Sequence, residues 1–280
     1  MPELPEVETV RLFLDQHILG KTISSIEIFS PKSFVGDQKN AINQEIVSTS
    51  RLGKQLSLHL KNGLILLFHL KMTGQVIIGD SVFGHPTLKE DKSVLPNKST
   101  RVVFTFSDNS KLFFNDQRKF GWVKVLDKDE LVEAQKNVGV DVLSSAFTDE
   151  YFYQQLQSTS RSIKVVLLDQ SKFAGVGNIY DNDALFLSKI NPSLPSNKIT
   201  KKLAKILRQS LIDLMKESLF HGGSTAKDNK YIHPDGTKGE HQYHFRVYQR
   251  SGEPCLVCQT PIKRIKIAGR GTFYCPRCQK

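Results

Sequence analysis

Apolar residues recur at helical spacing near the start of the chain: Val7, Val10, Leu14 and Ile18 lie three or four positions apart and share one face. Pro5 suits a first helical turn and Gly20 supplies a stop, so the pattern predicts a helix over residues 5–19. The period then changes. Runs at Thr22–Phe29, Gln55–Leu60, Leu64–Leu70, Val102–Phe106 and Lys111–Phe114 read as strands, with Asn62-Gly63 and Asp108-Asn109 as hairpin turns. Short strands so spaced predict a β-sandwich or barrel over residues 1–130, behind one N-terminal helix. From residue 148 the pattern is helical again. Leu203, Leu207, Leu211, Leu214 and Leu219 form a stripe from Thr200 to Phe220, which Gly222-Gly223 ends. Polar positions 127–130 and 144–145 mark a boundary. The expected fold class is therefore α+β and multidomain: a β domain at 1–130, a linker at 131–147, a helical domain at 148–245 and a terminal module at 246–280. Ser224–Glu240, polar and glycine-containing, reads as a mobile loop.

Charge sharpens this picture. The 280 residues carry a net charge of +11, and residues 243–280 contribute eight basic side chains against the single acid Glu253. Such an excess points to a polyanionic partner, most often nucleic acid, although a basic tail can also be a merely solvated surface. At 39% hydrophobic and 24% charged residues the composition is that of a globular protein. The longest apolar run, Leu64–Phe68, is far too short to span a bilayer, and the acidic start does not suit a signal peptide. The expectation is a cytoplasmic protein with no membrane partner.

The same basic segment holds all four cysteines, as Cys255-x2-Cys258 and Cys275-x2-Cys278 with sixteen residues between. That spacing reads as a tetrahedral zinc site, structural because four protein ligands leave no position for water. A pair of disulfides and an iron–sulfur site are the alternatives. Between the knuckles, Pro261–Ile267 and Thr272–Tyr274 read as a hairpin turned through Ala268-Gly269-Arg270-Gly271. Gly175-Val176-Gly177 lacks the third glycine and the preceding strand of a dinucleotide motif. A glycine-rich turn opening a helix suits a phosphate instead.

Met1-Pro2-Glu3-Leu4-Pro5-Glu6-Val7-Glu8-Thr9-Val10 resembles the N-terminus of the formamidopyrimidine-DNA glycosylases, bacterial enzymes that repair oxidised purines. His69-Leu70-Lys71-Met72-Thr73-Gly74, Asp116-Gln117-Arg118-Lys119-Phe120-Gly121, Gly175–Tyr180, Val247-Tyr248 with Gly252–Cys255, and Gly269–Cys275 are similar to that family in the same order. The resemblance implies an N-terminal β-sandwich, a helix–two-turn–helix domain, a four-cysteine zinc finger and duplex DNA bound between the domains by a monomer. It implies a bifunctional glycosylase and abasic-site lyase of base-excision repair, acting on 8-oxoguanine and formamidopyrimidines and cleaving the strand by β- and δ-elimination.

The resemblance also assigns roles. Pro2, once Met1 is removed, is the nucleophile; an α-amino group has a pKa of about 7.7–8.0 and is partly neutral near pH 7. Glu3 is a general acid/base. Glu6 either belongs to the site or supports the helix through its dipole. Lys54, otherwise an ordinary surface lysine, contacts phosphate and assists elimination, as does Arg270. Met72, Arg118 and Phe120 fill the space left by an extruded base; taken alone, Met72 and Phe120 also suit a core. Lys164 and Asn178 lie near phosphate, and Arg161 is either a further contact or plain surface. Two departures stand out. Lys98-Ser99-Thr100-Arg101 replaces a Lys-His-Asp-His segment, so Arg101 is the candidate for the lost histidine contact. Gln117 replaces a proline. Leu4, where the related endonuclease VIII branch has glycine, favours oxidised purines over oxidised pyrimidines. A non-catalytic lesion-binding protein is the reading from another class.

Overall fold

The computed structural model describes residues 1–79, 94–225 and 231–280. Within the polar stretch 224–240, expected as a mobile loop, residues 226–230 lie outside the described residues. The described chain divides into two compact units, one formed by Met1–Lys136 with His221–Gln242, the other by Asn137–Phe220 with Tyr243–Lys280. Periodicity puts 221–242 in the helical domain; instead it packs with the first unit, a long-range pairing that local pattern does not carry.

In the first unit, helix α1 (Leu4–Ile18) precedes strands β1 (Ile23–Ile28), β2 (Phe34–Val35), β3 (Ile46–Leu52), β4 (Gln55–Leu60), β5 (Ile65–His69), β6 (Gly74–Ile78), β7 (Thr100–Phe106), β8 (Lys111–Asp116) and β9 (Trp122–Leu126). They form two sheets, of order β1-β7-β8-β6 and β2-β9-β5-β4-β3. One core joins them: Ile26, Val102, Phe104 and Phe114 from the first sheet meet Leu56, Leu58, Leu66 and Phe68 from the second, and α1 adds Val7, Val10, Leu14 and Ile18. The expected sandwich behind one helix is what forms. Phe68 stands at its centre, with ring centroids 5.8 Å from Phe104 and 6.0 Å from Phe114. Strands β2, β3, β6 and β9 are additional to those the pattern predicts, and the short helix α2 (Lys128–Gln135) runs into the start of the expected linker. Asp127 caps α2 through a capping box with Glu130, a local signal that the acidic cluster contains.

Register gathers the functional loops. Gln55 pairs with His69, His69 with Trp122, and Gly74 with Asp116. The β3–β4 turn and the two crossings between the sheets, residues 70–73 and 117–121, therefore emerge at one end of the sandwich.

The second unit contains β10 (Val140–Asp141), α3 (Asp149–Gln157), α4 (Ile163–Leu167), β11 (Phe173–Ala174), α5 (Asn178–Leu187), α6 (Lys201–Phe220) and the hairpin β12 (Lys263–Ile267)–β13 (Arg270–Tyr274). Helix α6 buries Leu207, Leu211 and Leu214, the middle of the predicted stripe. Phe186, Val247, Ile262 and Phe273 form a small core beside the cysteines.

Because Phe68 meets aromatic rings of the facing sheet at the centre of the core, Phe68→Ala is expected to lower the unfolding free energy by about 3–5 kcal/mol, with Phe68→Leu costing less than half as much. Urea unfolding of the two variants measures the difference.

Candidate functional site

In the first unit the N-terminal residues are enclosed. Pro2 is buried, and Glu3 is the N-cap of α1 in a reciprocal capping box with Glu6. The Glu3 N–H donates to Glu6 Oε2 at 2.8 Å, and the Ser224 N–H donates to Glu6 Oε1 at 2.9 Å. One carboxylate thus ties the helix start to the segment that follows Gly223. Gly223 has φ +79°, and a Cβ there would lie 3.0 Å from Glu6 Cγ and 3.1 Å from Tyr231 Cε1, so the approach requires glycine. Burial, and then the charge of Glu6, push the Tyr231 phenol well above its ordinary range, which keeps it neutral.

Lys54 follows Gly53 (φ +57°) in the β3–β4 turn and is largely buried. Arg51, at the end of β3, ties that turn to α1: its Nε donates to Glu8 Oε2 at 2.7 Å and its Nη1 to the Gly53 carbonyl at 2.9 Å. Burial alone would raise the Glu8 carboxyl, but hydrogen bonds from Arg11 and Arg51 hold it below the usual carboxylate range. Across the strand pair, burial and then the charges of Lys71 and Lys54 push His69 down to about 3. His69 is therefore neutral, and its Nδ1 accepts the Lys71 N–H at 3.1 Å, which leaves the proton on Nε2.

The two sheet-crossing loops carry the apolar pair. Met72 and Phe120 are exposed at 39% and 52%, where a core role would have buried them. Arg118 joins them, with Nη1 3.1 Å from Met72 Sδ and Cζ 5.0 Å from the Phe120 ring centroid. Arg101 departs from its expected place. It is 6% exposed, and its Nε donates to the Asp116 carbonyl at 2.7 Å, so it braces the end of β8 from within.

In the second unit Lys164 also departs from expectation. It is wholly buried, with Nζ 2.9 and 2.8 Å from the two Asp181 carboxylate oxygens, and so is enclosed rather than offered to a ligand. Position 164 on the short helix α4 faces the core because Ile163, Val166 and Leu167 share that burial. Along α5, three polar residues hold the C-terminal segment. Asn178 Nδ2 donates to the Gly271 carbonyl at 3.0 Å, Asn182 Oδ1 accepts the Phe273 N–H at 2.7 Å, and the Asp183 carboxylate accepts the N–H groups of Arg246, Val247 and Tyr248. Burial raises the Asp183 carboxyl, against those three bonds. Arg161 pairs with Asp169 at 2.7 Å, and both line an open groove that Arg270 also borders.

The four cysteines converge as their spacing predicted. Their Sγ atoms lie within 4.8 Å of one another, with 3.4 Å between Cys258 and Cys275 and 3.9 Å between Cys255 and Cys278. Tetrahedral zinc–sulfur bonds of about 2.3 Å need sulfurs about 3.8 Å apart, so the set fits one zinc ion. Cys255, Cys258, Cys275 and Cys278 would hold it as a closed structural centre that staples the hairpin.

Family models match nearly the whole length. One described as the formamidopyrimidine-DNA glycosylase N-terminal domain covers residues 1–123, one described as the H2TH domain of the same enzymes covers 138–230, and one described as a zinc finger found in FPG and IleRS covers 252–280. Formamidopyrimidine-DNA glycosylases from Desulforamulus reducens and Lactiplantibacillus plantarum are 36% and 38% identical to this chain, over all of it and 99% and 100% of their own lengths. The chain belongs to the formamidopyrimidine-DNA glycosylase family. Among solved structures, the MutM (Fpg) protein of Thermus thermophilus is similar at a TM-score of 0.88 and 34% identity, covering 99% of this chain and 98% of that one. The Lactococcus lactis Fpg bound to DNA with an abasic site is similar at 0.87 and 31%, covering 99% of each chain.

Beside the glycosylase motifs, sequence reasoning passes over Glu8, Arg51, Asp116, Asp181, Asn182 and Asp183. Most of these lie inside or close to the quoted motifs. The signal is present in α5, where acids interrupt a helix whose positions 179–186 are all buried. Acids are rarely enclosed unless paired, so such a pattern announces partners without naming them.

Two outcomes follow for this glycosylase-family chain. Lys164→Ala leaves Asp181 an uncompensated buried charge and is expected to cost about 3–5 kcal/mol, whereas Lys164→Met with Asp181→Leu restores most of the stability. Denaturant unfolding of the single and double variants checks this. Stripping zinc with a chelator is expected to release one equivalent of metal and to weaken duplex binding about tenfold as the basic hairpin loses its staple, with recovery on adding Zn2+. Fluorescence anisotropy on a labelled duplex reads the change.

Proposed function

We propose that this chain is a bifunctional DNA glycosylase and abasic-site lyase that removes oxidised purines, 8-oxoguanine and formamidopyrimidines, from duplex DNA. The observation that carries this reading is the intact Pro2-Glu3 start, enclosed at the head of α1, in a chain that matches its glycosylase relatives end to end. The Lactococcus relative has been seen with DNA containing Fapy-dG, which supports the purine class of lesion.

The chemistry follows from the residues. With Met1 removed, the neutral Pro2 nitrogen attacks C1′ of the lesion nucleotide, and the bond from C1′ to the base breaks as the base leaves with a proton. Glu3 delivers a proton to the sugar ring oxygen and takes protons back as the ring opens. The resulting Schiff base acidifies the C2′ hydrogens, so that loss of one expels the 3′ phosphate. A second elimination expels the 5′ phosphate, leaves a one-nucleotide gap and releases the sugar remnant on hydrolysis. Lys54 on the first unit and Arg270 on the second supply positive charge to the phosphates, and Asn178 adds a neutral amide. Arg161 joins them if phosphate draws it from Asp169. Met72 and Phe120 enter the stack in place of the extruded base, while Arg118 meets the orphaned cytosine. No helix among the described residues is long and apolar enough to cross a membrane, and work on chromosomal DNA puts the enzyme in the cytoplasm of its cell.

Borohydride trapping tests this reading. A covalent adduct is expected between the protein and a duplex holding 8-oxoguanine opposite cytosine, lost or much reduced in Pro2→Gly. An adduct formed only with thymine glycol would move the chain to the pyrimidine branch. No adduct on either duplex, with Met1 absent by mass spectrometry and DNA binding intact, would leave a lesion-binding protein.

A further inference from the structure

We propose that Asp116 is the positioning residue of the base-displacing group: one buried carboxylate that fixes both loops on which Met72, Arg118 and Phe120 stand. This deepens the glycosylase reading and rests on it. An aspartate at the end of a strand ordinarily makes a local turn by accepting the N–H two residues on. Asp116 does that, with Arg118 N–H donating to Oδ1 at 3.1 Å. It also does much more. Oδ2 accepts the N–H groups of Phe120 and Gly121, each at 2.7 Å, and Oδ1 accepts the Thr73 hydroxyl from the other crossing loop. The Thr73 Oγ1 in turn accepts the Arg118 N–H at 3.1 Å. Thr73 directly follows Met72, so the carboxylate joins the Met72 loop to the Arg118–Phe120 loop.

The surroundings hold Asp116 itself still. Its backbone N–H donates to the Ser99 carbonyl at 2.7 Å, and its carbonyl accepts Arg101 Nε. Gly121 can bring its N–H to Oδ2 only because it lacks a side chain; a Cβ would lie 2.8 Å from Phe114 Cζ and 3.2 Å from Oδ2. Lys119 takes φ +58°, a left-handed conformation that lets Arg118 and Phe120 lie together, and such strain in a non-glycine residue persists only where the surroundings fix it. The carboxylate provides that fixing. A wedge must enter the stack as the base leaves, and a loop already ordered meets no ordering cost at that moment.

The test is a double-mutant cycle on the full-length, zinc-loaded enzyme. Asp116→Asn replaces one acceptor oxygen with a donor facing N–H groups. Its single-turnover excision of 8-oxoguanine opposite cytosine is expected to fall by about 10–100-fold, the scale of loss for small misplacements. Trapping on a single-stranded abasic oligonucleotide, which has no stack to enter, falls far less. In a Met72→Ala/Arg118→Ala/Phe120→Ala background the same substitution is expected to add no further loss of excision, and in the otherwise intact enzyme 2-aminopurine opposite the lesion loses its fluorescence rise. An equal loss in both backgrounds, an equal loss on both substrates, or no loss would overturn the proposal. Should Asp116→Asn fail to fold, Thr73→Val cuts only the link between the loops and decides by the same two ratios. Absence of trapping by the unaltered enzyme would instead sink the glycosylase reading.

Discussion

The carboxylate of Glu6 is 1% exposed, and its two oxygens accept the N–H of Glu3 and the N–H of Ser224. That arrangement holds the start of α1 against the segment that follows Gly223. A carboxylate near an exposed helix N-terminus is worth about 0.3–1 kcal/mol through the dipole alone. A buried hydrogen bond to a charged group is worth about 1.5–3 kcal/mol, and here there are two. The dipole is therefore the smaller part of what Glu6 does. Its larger effect is to fix the residue beside the proline nitrogen and, with the same group, the chain leaving Gly223.

The same device recurs. Asp183 receives three successive N–H groups from residues 246–248, and Asp116 receives three from residues 118–121. Loops are hard to bury because their backbone groups lack regular partners. A carboxylate that accepts several N–H groups at once allows an irregular segment to be both enclosed and fixed. The cost is desolvation of a charge, visible in the raised carboxyl of Asp183. The gain is an irregular segment whose shape is held by hydrogen bonds to one buried group and not by local propensity alone.

That division explains what can be read along the chain. Helix α1, the paired strands and the apolar stripe of α6 follow from periodicity, since burial on one face leaves a mark every two or every three to four residues. Strand β6 opens on Gly74, and β3 is mostly polar, so neither leaves such a mark. The cysteine knuckles are legible because a metal demands ligand type and spacing together. Lys164 and Arg101 are not. A basic residue in a basic protein suggests an anion outside, and nothing local says that its acceptor is Asp181 or the Asp116 carbonyl inside. The packing of 221–242 on the first unit includes Glu6 meeting Ser224 across 218 positions and the Ile78 N–H meeting the Pro234 carbonyl, contacts no local window contains.

The inward turn of Arg101 bears on the departure at residues 98–101. Where a histidine is expected to reach outward, this chain places a longer, permanently charged side chain whose Nε is used on the Asp116 carbonyl and whose Nη1 lies 3.3 Å from the Thr100 carbonyl. The Ser99 carbonyl accepts the Asp116 N–H at the same point, and the Thr100 hydroxyl donates to Asn115 Oδ1 at 2.9 Å. The substituted segment has thus become backing for the end of β8. The end of β8, from which the loop carrying Arg118 and Phe120 leaves, is thereby braced from within. These bonds leave the groups around Pro2 untouched, because none of them reaches α1. Variation at 98–101 therefore acts on the backing of that loop, and the start of α1 is insulated from it.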